Sequence, residues 1–210
     1  MEKNVSVATL QILGGHPSLD FANTVSARRD RWGPDLLVDY GDLLDWAERA
    51  DLLDAPVIGR LRALAAASPS SSAAALDRAK RLREALYAVF SALAAATDAP
   101  ADALELVRSA YLEARAQQSL SLGRAGAGWH WRGAPCLDAV THAIAIQAVE
   151  LLTGPEASRV KECLGHRCGW LFLDTTRNRS RRWCSDADCG TRDRVARHRA
   201  RAKSAVQRQP

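Results

Sequence analysis

Apolar residues recur at three- and four-residue steps through the first three-quarters of the chain. The longest run is Leu76, Ala79, Leu82, Leu86, Val89, Phe90 and Leu93, one stripe that predicts a helix over 73–96. A second helix is predicted from Pro100, a favourable first-turn residue, with Asp98 as its cap and Leu104, Val107, Tyr111 and Ala114 as its stripe. A third spans 137–152 and stops at Gly154-Pro155, and an earlier one spans 39–49. SPSSS at 68–72 reads as a loop. SLSLGRAGAGWHWRG (119–133) alternates on both sides of a glycine-rich turn and predicts a small hairpin, with Trp129 and Trp131 packed on the body. No internal repeat is visible. The fold class is mainly α, with little strand.

The segment GGHPSLDFANTV (14–25) breaks the routine. Ser18 can cap a helix on which Asp20, Asn23 and Thr24 share one face, while Leu19, Phe21, Ala22 and Val25 supply the apolar side. Asparagine and threonine compete for backbone hydrogen bonds and are mediocre helix formers. Such a polar group either lines a pocket, with His16 beside it, or forms a buried network that fixes packing and ties down a neighbouring loop. His16, Asp20, Asn23 and Thr24 are the candidate ligand-binding residues.

Charge adds a division that the hydrophobic pattern does not show. The 210 residues carry a net charge of +5. From Arg159 onward there are fourteen Lys/Arg against five Asp/Glu, or +9. The remainder holds fifteen against nineteen, or −4. A mildly acidic body with a basic end piece points to a polyanionic partner. The two parts are read as domains over 1–158 and 159–210. No apolar run reaches the eighteen or so residues of a membrane span, and MEKNVSVATLQ lacks the apolar region of a signal peptide. A cytoplasmic protein is expected, with its thiols reduced.

Four of the five cysteines, Cys163, Cys168, Cys184 and Cys189, form two close pairs. Structural zinc takes four soft ligands in a tetrahedron, delivered as two such pairs. A disulfide framework conflicts with the expected compartment, and a thioredoxin-like site would need C-x-x-C. Four thiolates close the shell, so the expected cofactor is one structural zinc ion. GWLFLD, RNRS and RRW suggest a strand, a turn and a returning strand between the pairs. Cys136 stands alone and reads as a small packing residue. Beyond Cys189, Thr191 is read as the N-cap of a helix over 192–206, whose narrow apolar side is Val195, His198, Ala202 and Val206. Arg194, Arg197 and Arg201 make one basic ridge, and Arg192, Arg199 and Lys203 another. The loop before it adds Arg177, Arg179, Arg181 and Arg182. These nine arginines are the candidate nucleic-acid contacts. A helix this polar cannot dock by burial, so metal at its first turn would fix it.

CGWLFLDTTRNRSRRWCSDADCGTR resembles the CGNR zinc finger family in its leading CxxxxC, its W-x-F-x-D core, its R-N-x-S-R-R-W-C return and its final C-G-x-R. GGHPSLDFANTV and DYGDLLDWAERADLL resemble the ABATE domain that precedes that finger. The resemblance implies a treble-clef-like finger whose zinc is held by the four cysteines. It also implies a bacterial, stress-induced transcription regulator that binds DNA. The family motif has asparagine where this chain has Thr191. On this reading the helical body senses a small effector or forms a homodimer. The competing reading is an enzyme with its site in the N-terminal domain and the finger as an appendage. No phosphate loop, dinucleotide fingerprint or H-E-x-x-H favours it. A third reading makes the finger an RNA- or protein-docking module.

Overall fold

The computed structural model describes residues 6–29, 33–124 and 126–206, with side chains described through residue 200. Seven α-helices and two hairpins follow one another along the chain.

Helix α4 (Pro69–Ala95) is the longest, 27 residues with no glycine and no proline beyond its first. Its buried stripe is the one predicted: Leu76, Ala79, Leu82, Leu86, Val89 and Phe90. It begins four residues earlier than expected. The SPSSS segment is not a loop, because Pro69 occupies the first helical turn and the Ser72 hydroxyl donates to Pro69 O at 2.9 Å. Before it, α1 (Pro17–Ala22) packs on α4 and the later helix at 139–153, and α2 (Tyr40–Arg49) and α3 (Ala55–Ala67) pack on each other and on α4. The cap of α1 is His16, whose Nδ1 accepts from the Ser18 amide; Ser18 lies inside the first turn, contrary to expectation. Asp39 caps α2 in a reciprocal box with Asp42. The sequence pattern missed α3. It buries only Ile58 and Leu61, too few points for a stripe.

Helix α5 (Ala101–Ala116) has Pro100 at its cap position and not Asp98. It leads into the first hairpin, β1 (Gln118–Gly123) and β2 (Gly126–Trp131), in the register Leu120↔Trp129 and Gln118↔Trp131. Directly opposed residues share a face, so Leu120, Leu122, Trp129 and Trp131 stand together. All four are exposed, against the expectation that the tryptophans pack on the body. Arg115 covers Trp129, and Trp131 stacks on His142 at 6.3 Å between ring centres. Helix α6 (Ala139–Thr153) is the core helix, with Val140, Ile144, Ala145 and Ala148 fully buried. The Phe21 and Trp46 rings meet at 5.0 Å within the same core.

The second hairpin pairs β3 (Val160–Glu162) with β4 (Leu171–Leu173), antiparallel, with Val160 opposite Leu173. The expected return strand at RRW does not form. The partner of β4 lies upstream, because the first cysteine pair folds into the tight turn that joins the strands, and Cys163 N donates to Trp170 O at 2.7 Å to close it. The chain after β4 instead winds around Asp174. A wide π-type turn (Asp186–Gly190) then leads into α7 (Thr191–Val206). Ser185 caps this continuous helical segment through its hydroxyl, which accepts from Asp188 N at 3.1 Å. Thr191 is already helical and is not the cap. Among the described residues, no helix is long and apolar enough to cross a membrane.

Candidate zinc site and arginine surface

Period-two alternation places the second hairpin between two chemistries. Leu171 and Leu173 face the helical core with Val160, while Phe172 faces Cys163, Cys184 and Cys189. The four Sγ atoms of Cys163, Cys168, Cys184 and Cys189 lie within 4.8 Å of one another. Cys168 and Cys184 are 3.6 Å apart, and Cys184 and Cys189 are 3.8 Å apart. A tetrahedral zinc with Zn–S bonds of about 2.3 Å sets sulfur–sulfur edges of about 3.8 Å, so the donor set fits the ion. Cys163, Cys168, Cys184 and Cys189 would hold one structural zinc, and four sulfurs leave no open position for catalysis.

The backbone supports the sulfurs directly. Gly165 N and Cys184 N donate to Cys163 Sγ at 3.4 and 3.2 Å, the outer-shell bonds that orient a thiolate. Thiol donation from Cys168, Cys184 and Cys189 pulls the Cys163 pKa well below the ordinary thiol range. Glycine is required at Gly165, where a Cβ would stand 2.9 Å from that of Cys189, while at Gly190 a Cβ would stand 2.5 Å from Asp186 Oδ1 and would displace that carboxylate. Arg167 and Gly169, at φ of 63° and 68°, make the reversal that carries the chain from Cys168 into β4.

The hairpin end of this site is fastened to the helical body. Asn23 donates to Leu171 O at 2.8 Å and accepts from Leu171 N at 2.9 Å, both buried. Trp170 Nε1 donates to Val25 O at 2.9 Å, Arg28 N to Cys168 O at 2.8 Å, and Tyr87 Oη to Gly169 O at 3.1 Å. Leu173 N donates to Gly14 O at 2.7 Å. The GGHPSLDFANTV segment thus touches β4 at both ends.

Comparison with known families matches residues 15–155 to ABATE, described as "Putative stress-induced transcription regulator". The chain belongs to the ABATE family. Residues 159–202 match the CGNR zinc finger. No curated protein matches the chain.

Within the ABATE domain the four candidate ligand residues separate. Asp20 Oδ1 accepts from Leu13 N and Gly14 N at 2.9 and 2.6 Å, and burial raises its pKa to about 6 in spite of those bonds. Asn23 holds Leu171. Thr24 donates to Phe21 O and accepts from Arg83, a buried cation paired twice with Asp35. Their polar atoms are engaged with the protein itself. His16 lines a shallow cleft with Glu150, Leu151 and Glu156, and burial lowers its pKa.

In the CGNR finger the candidate arginines divide. Arg177, Arg179 and Arg182 are exposed on the loop before Cys184, and Arg192, Arg194, Arg197 and Arg199 are exposed on α7. Arg194 pairs with Asp186 and Arg197 with Asp193. The Arg201 side chain lies outside the described residues, as do those of Lys203, Ala202 and Val206. Val195, from the expected apolar side, is exposed. Arg181 turns inward. It covers the Phe172 ring at 4.4 Å and donates to Trp183 O at 3.0 Å, to Leu173 O at 3.3 Å, to Leu13 O at 3.2 Å and to Cys184 O. Asp174, fully buried, accepts from Lys161 Nζ and Thr176 Oγ1 at 2.6 Å each and from Arg181 N at 3.0 Å. These bonds hold its pKa well below the carboxylate range against the cost of burial. Sequence reasoning named Asp174 only as a motif letter. A lone aspartate ending an apolar strand was the available signal.

Proposed function

We propose that this protein is a DNA-binding transcription regulator in which the CGNR finger contacts duplex DNA and the ABATE domain senses a small ligand or forms a homodimer. The observation that carries this reading is α7: sixteen residues, about 24 Å long, with Arg192, Arg194, Arg197 and Arg199 exposed on a metal-fixed base. Its substantial contacts are with the turn that leads into it, so it projects from the finger as a rod. A rod of that width enters the major groove, where arginines read guanine edges and pair with phosphates. The loop arginines Arg177, Arg179 and Arg182 lie on the same finger and suit the flanking backbone. Trp170 and Trp183 are half-buried rather than splayed for base stacking, which favours duplex over single-stranded nucleic acid.

The test is fluorescence anisotropy of the zinc-loaded protein with duplex DNA, after selection of bound sequences from a random pool. Affinity should fall steeply with salt, and each phosphate-contacting arginine changed to alanine should lower the log–log salt slope by about one. Absence of measurable affinity at low salt would sink the proposal.

A further inference from the structure

A cleft of about 350 Å³ opens where α3, the base of the first hairpin and α6 meet, and none of the four clustered cysteines lines it. Its apolar walls are Leu53 from the turn before α3, Val57 from α3, Trp131 from β2 and Ala139 from α6. The imidazole of His142, stacked against Trp131, completes one side. Volumes near this value hold small organic molecules of one or two rings.

Two arginines line this cleft from separate elements, Arg60 from α3 and Arg132 from the segment after β2. Several other arginines of the body pair with carboxylates: Arg62 with Asp45, Arg78 with Asp138, Arg83 with Asp35, Arg115 with Glu150. The guanidinium groups of Arg60 and Arg132 have no hydrogen-bond or ion-pair partner among the described residues. Among the described residues the only acid lining the cleft is Asp54, and the charge balance of the lining is positive. Cys136, expected to be a packing residue, is exposed and lines the same cleft.

We propose that this cleft binds a small aromatic carboxylate, its ring against Trp131 and the aliphatic wall and its carboxylate on Arg60 and Arg132. A flat apolar wall favours a planar ring, and the guanidinium fork matches a carboxylate in geometry as well as charge. The inference rests on the reading of the ABATE domain as a sensor and names the chemical class that it takes. It also relocates the ligand site away from Asp20, Asn23 and Thr24.

Isothermal titration calorimetry of the zinc-loaded full chain, with benzoate, 2-naphthoate and indole-3-acetate each set against its primary amide, tests it. At least one acid should bind with Kd below about 1 mM, and its amide should bind at least about tenfold more weakly. The double variant Arg60→Gln/Arg132→Gln should weaken that acid about tenfold at unchanged melting temperature. Arg192→Gln/Arg199→Gln on α7 should leave it unchanged. No acid binding below 1 mM, equal affinity for acid and amide, or full binding by the cleft variant overturns the proposal. Because the readout is ligand heat and not DNA affinity, DNA binding can fail while the cleft stands, and the reverse.

Discussion

The hairpin and the helix of the finger meet at one set of cysteines, yet Leu171, Phe172 and Leu173 are all buried while every residue from Arg194 to Ala200 is exposed. The hairpin belongs to two cores at once. Alternate positions along it face the metal site and the ABATE core, and six hydrogen bonds from 14–28 and Tyr87 fix it there. Among the described residues the helix, through Ala200, belongs to no core. Its position is set by Cys189 in the turn before it and by Ser185 at its cap. One metal site therefore does two jobs: it completes the packing of a strand and it aims an otherwise unsupported rod.

Removing the metal should break both jobs, and this is the largest effect expected. Chelation, or Cys184→Ser, should abolish DNA binding and also lower the melting temperature of the whole chain by roughly 10 °C or more, because structural zinc contributes folding free energy and β4 is part of the main core. Circular dichroism melts with and without chelator decide it. If the finger were a mere appendage, the main transition would stay where it is.

Asn23→Ala attacks the weld without touching a ligand. It leaves Leu171 N and O buried without partners, a cost of about 2–6 kcal/mol at 1–3 for each group. Urea denaturation should show this, and zinc competition should show weaker metal binding, because β4 would no longer be held against the cysteines. An unchanged zinc affinity would mean that the two cores are energetically separate.

A subtler probe of the same weld is Asp20, which orders Leu13 and Gly14 next to β4. Its folded pKa, about 6, lies above its unfolded value of 3.8. Between about pH 4 and 6 the native state therefore binds a proton that the unfolded state has released. Stability from this group falls as pH rises through that window, by about 2–3 kcal/mol. Asp20→Asn keeps an acceptor for both amides and removes the titration. Acid weakens the thiolate ligands equally in both proteins, so the difference in unfolding free energy between wild type and variant, followed from pH 4.5 to 7, isolates the effect.

These tests follow the line between what was legible in the sequence and what was not. Helices α2, α4, α5 and α6 and the first hairpin were readable because each is organised by its own local period. The four cysteines were readable because metal ligands need paired spacing. Helix α3 escaped because alanine carries little periodic contrast and only two of its residues are buried. The strand partner of β4 escaped because the pairing runs through the cysteine turn and not through a visible alternation. Asn23 was singled out as unusual for its helix, but its partner Leu171 is 148 residues away, a separation at which local pattern carries no signal. Arg181 was grouped with the exposed arginines because composition shows charge, whereas burial against Phe172 and four carbonyls is a property of the fold.

The smallest effect concerns the other side of the comparison, the start of the helix. Thr191, where the family motif has asparagine, reads locally as an N-cap, and at a cap the exchange of threonine for another residue would matter. In the structure the helical segment begins at Ser185, and Thr191 has helical angles, with its hydroxyl donating to Asp186 O at 3.2 Å. Ser185→Ala should therefore cost about 1 kcal/mol, the usual loss of a serine cap. Thr191→Ala should stay within about 0.5 kcal/mol, since away from a cap the better helix propensity of alanine offsets the lost bond to Asp186 O, whereas at a cap alanine would cost about 1 kcal/mol. Thermal melts of the zinc-loaded variants compare them directly. A Thr191→Ala change as costly as Ser185→Ala would move the true start of the rod to residue 191 and detach Cys189 from it, and with that the account of how the metal aims the helix would fail.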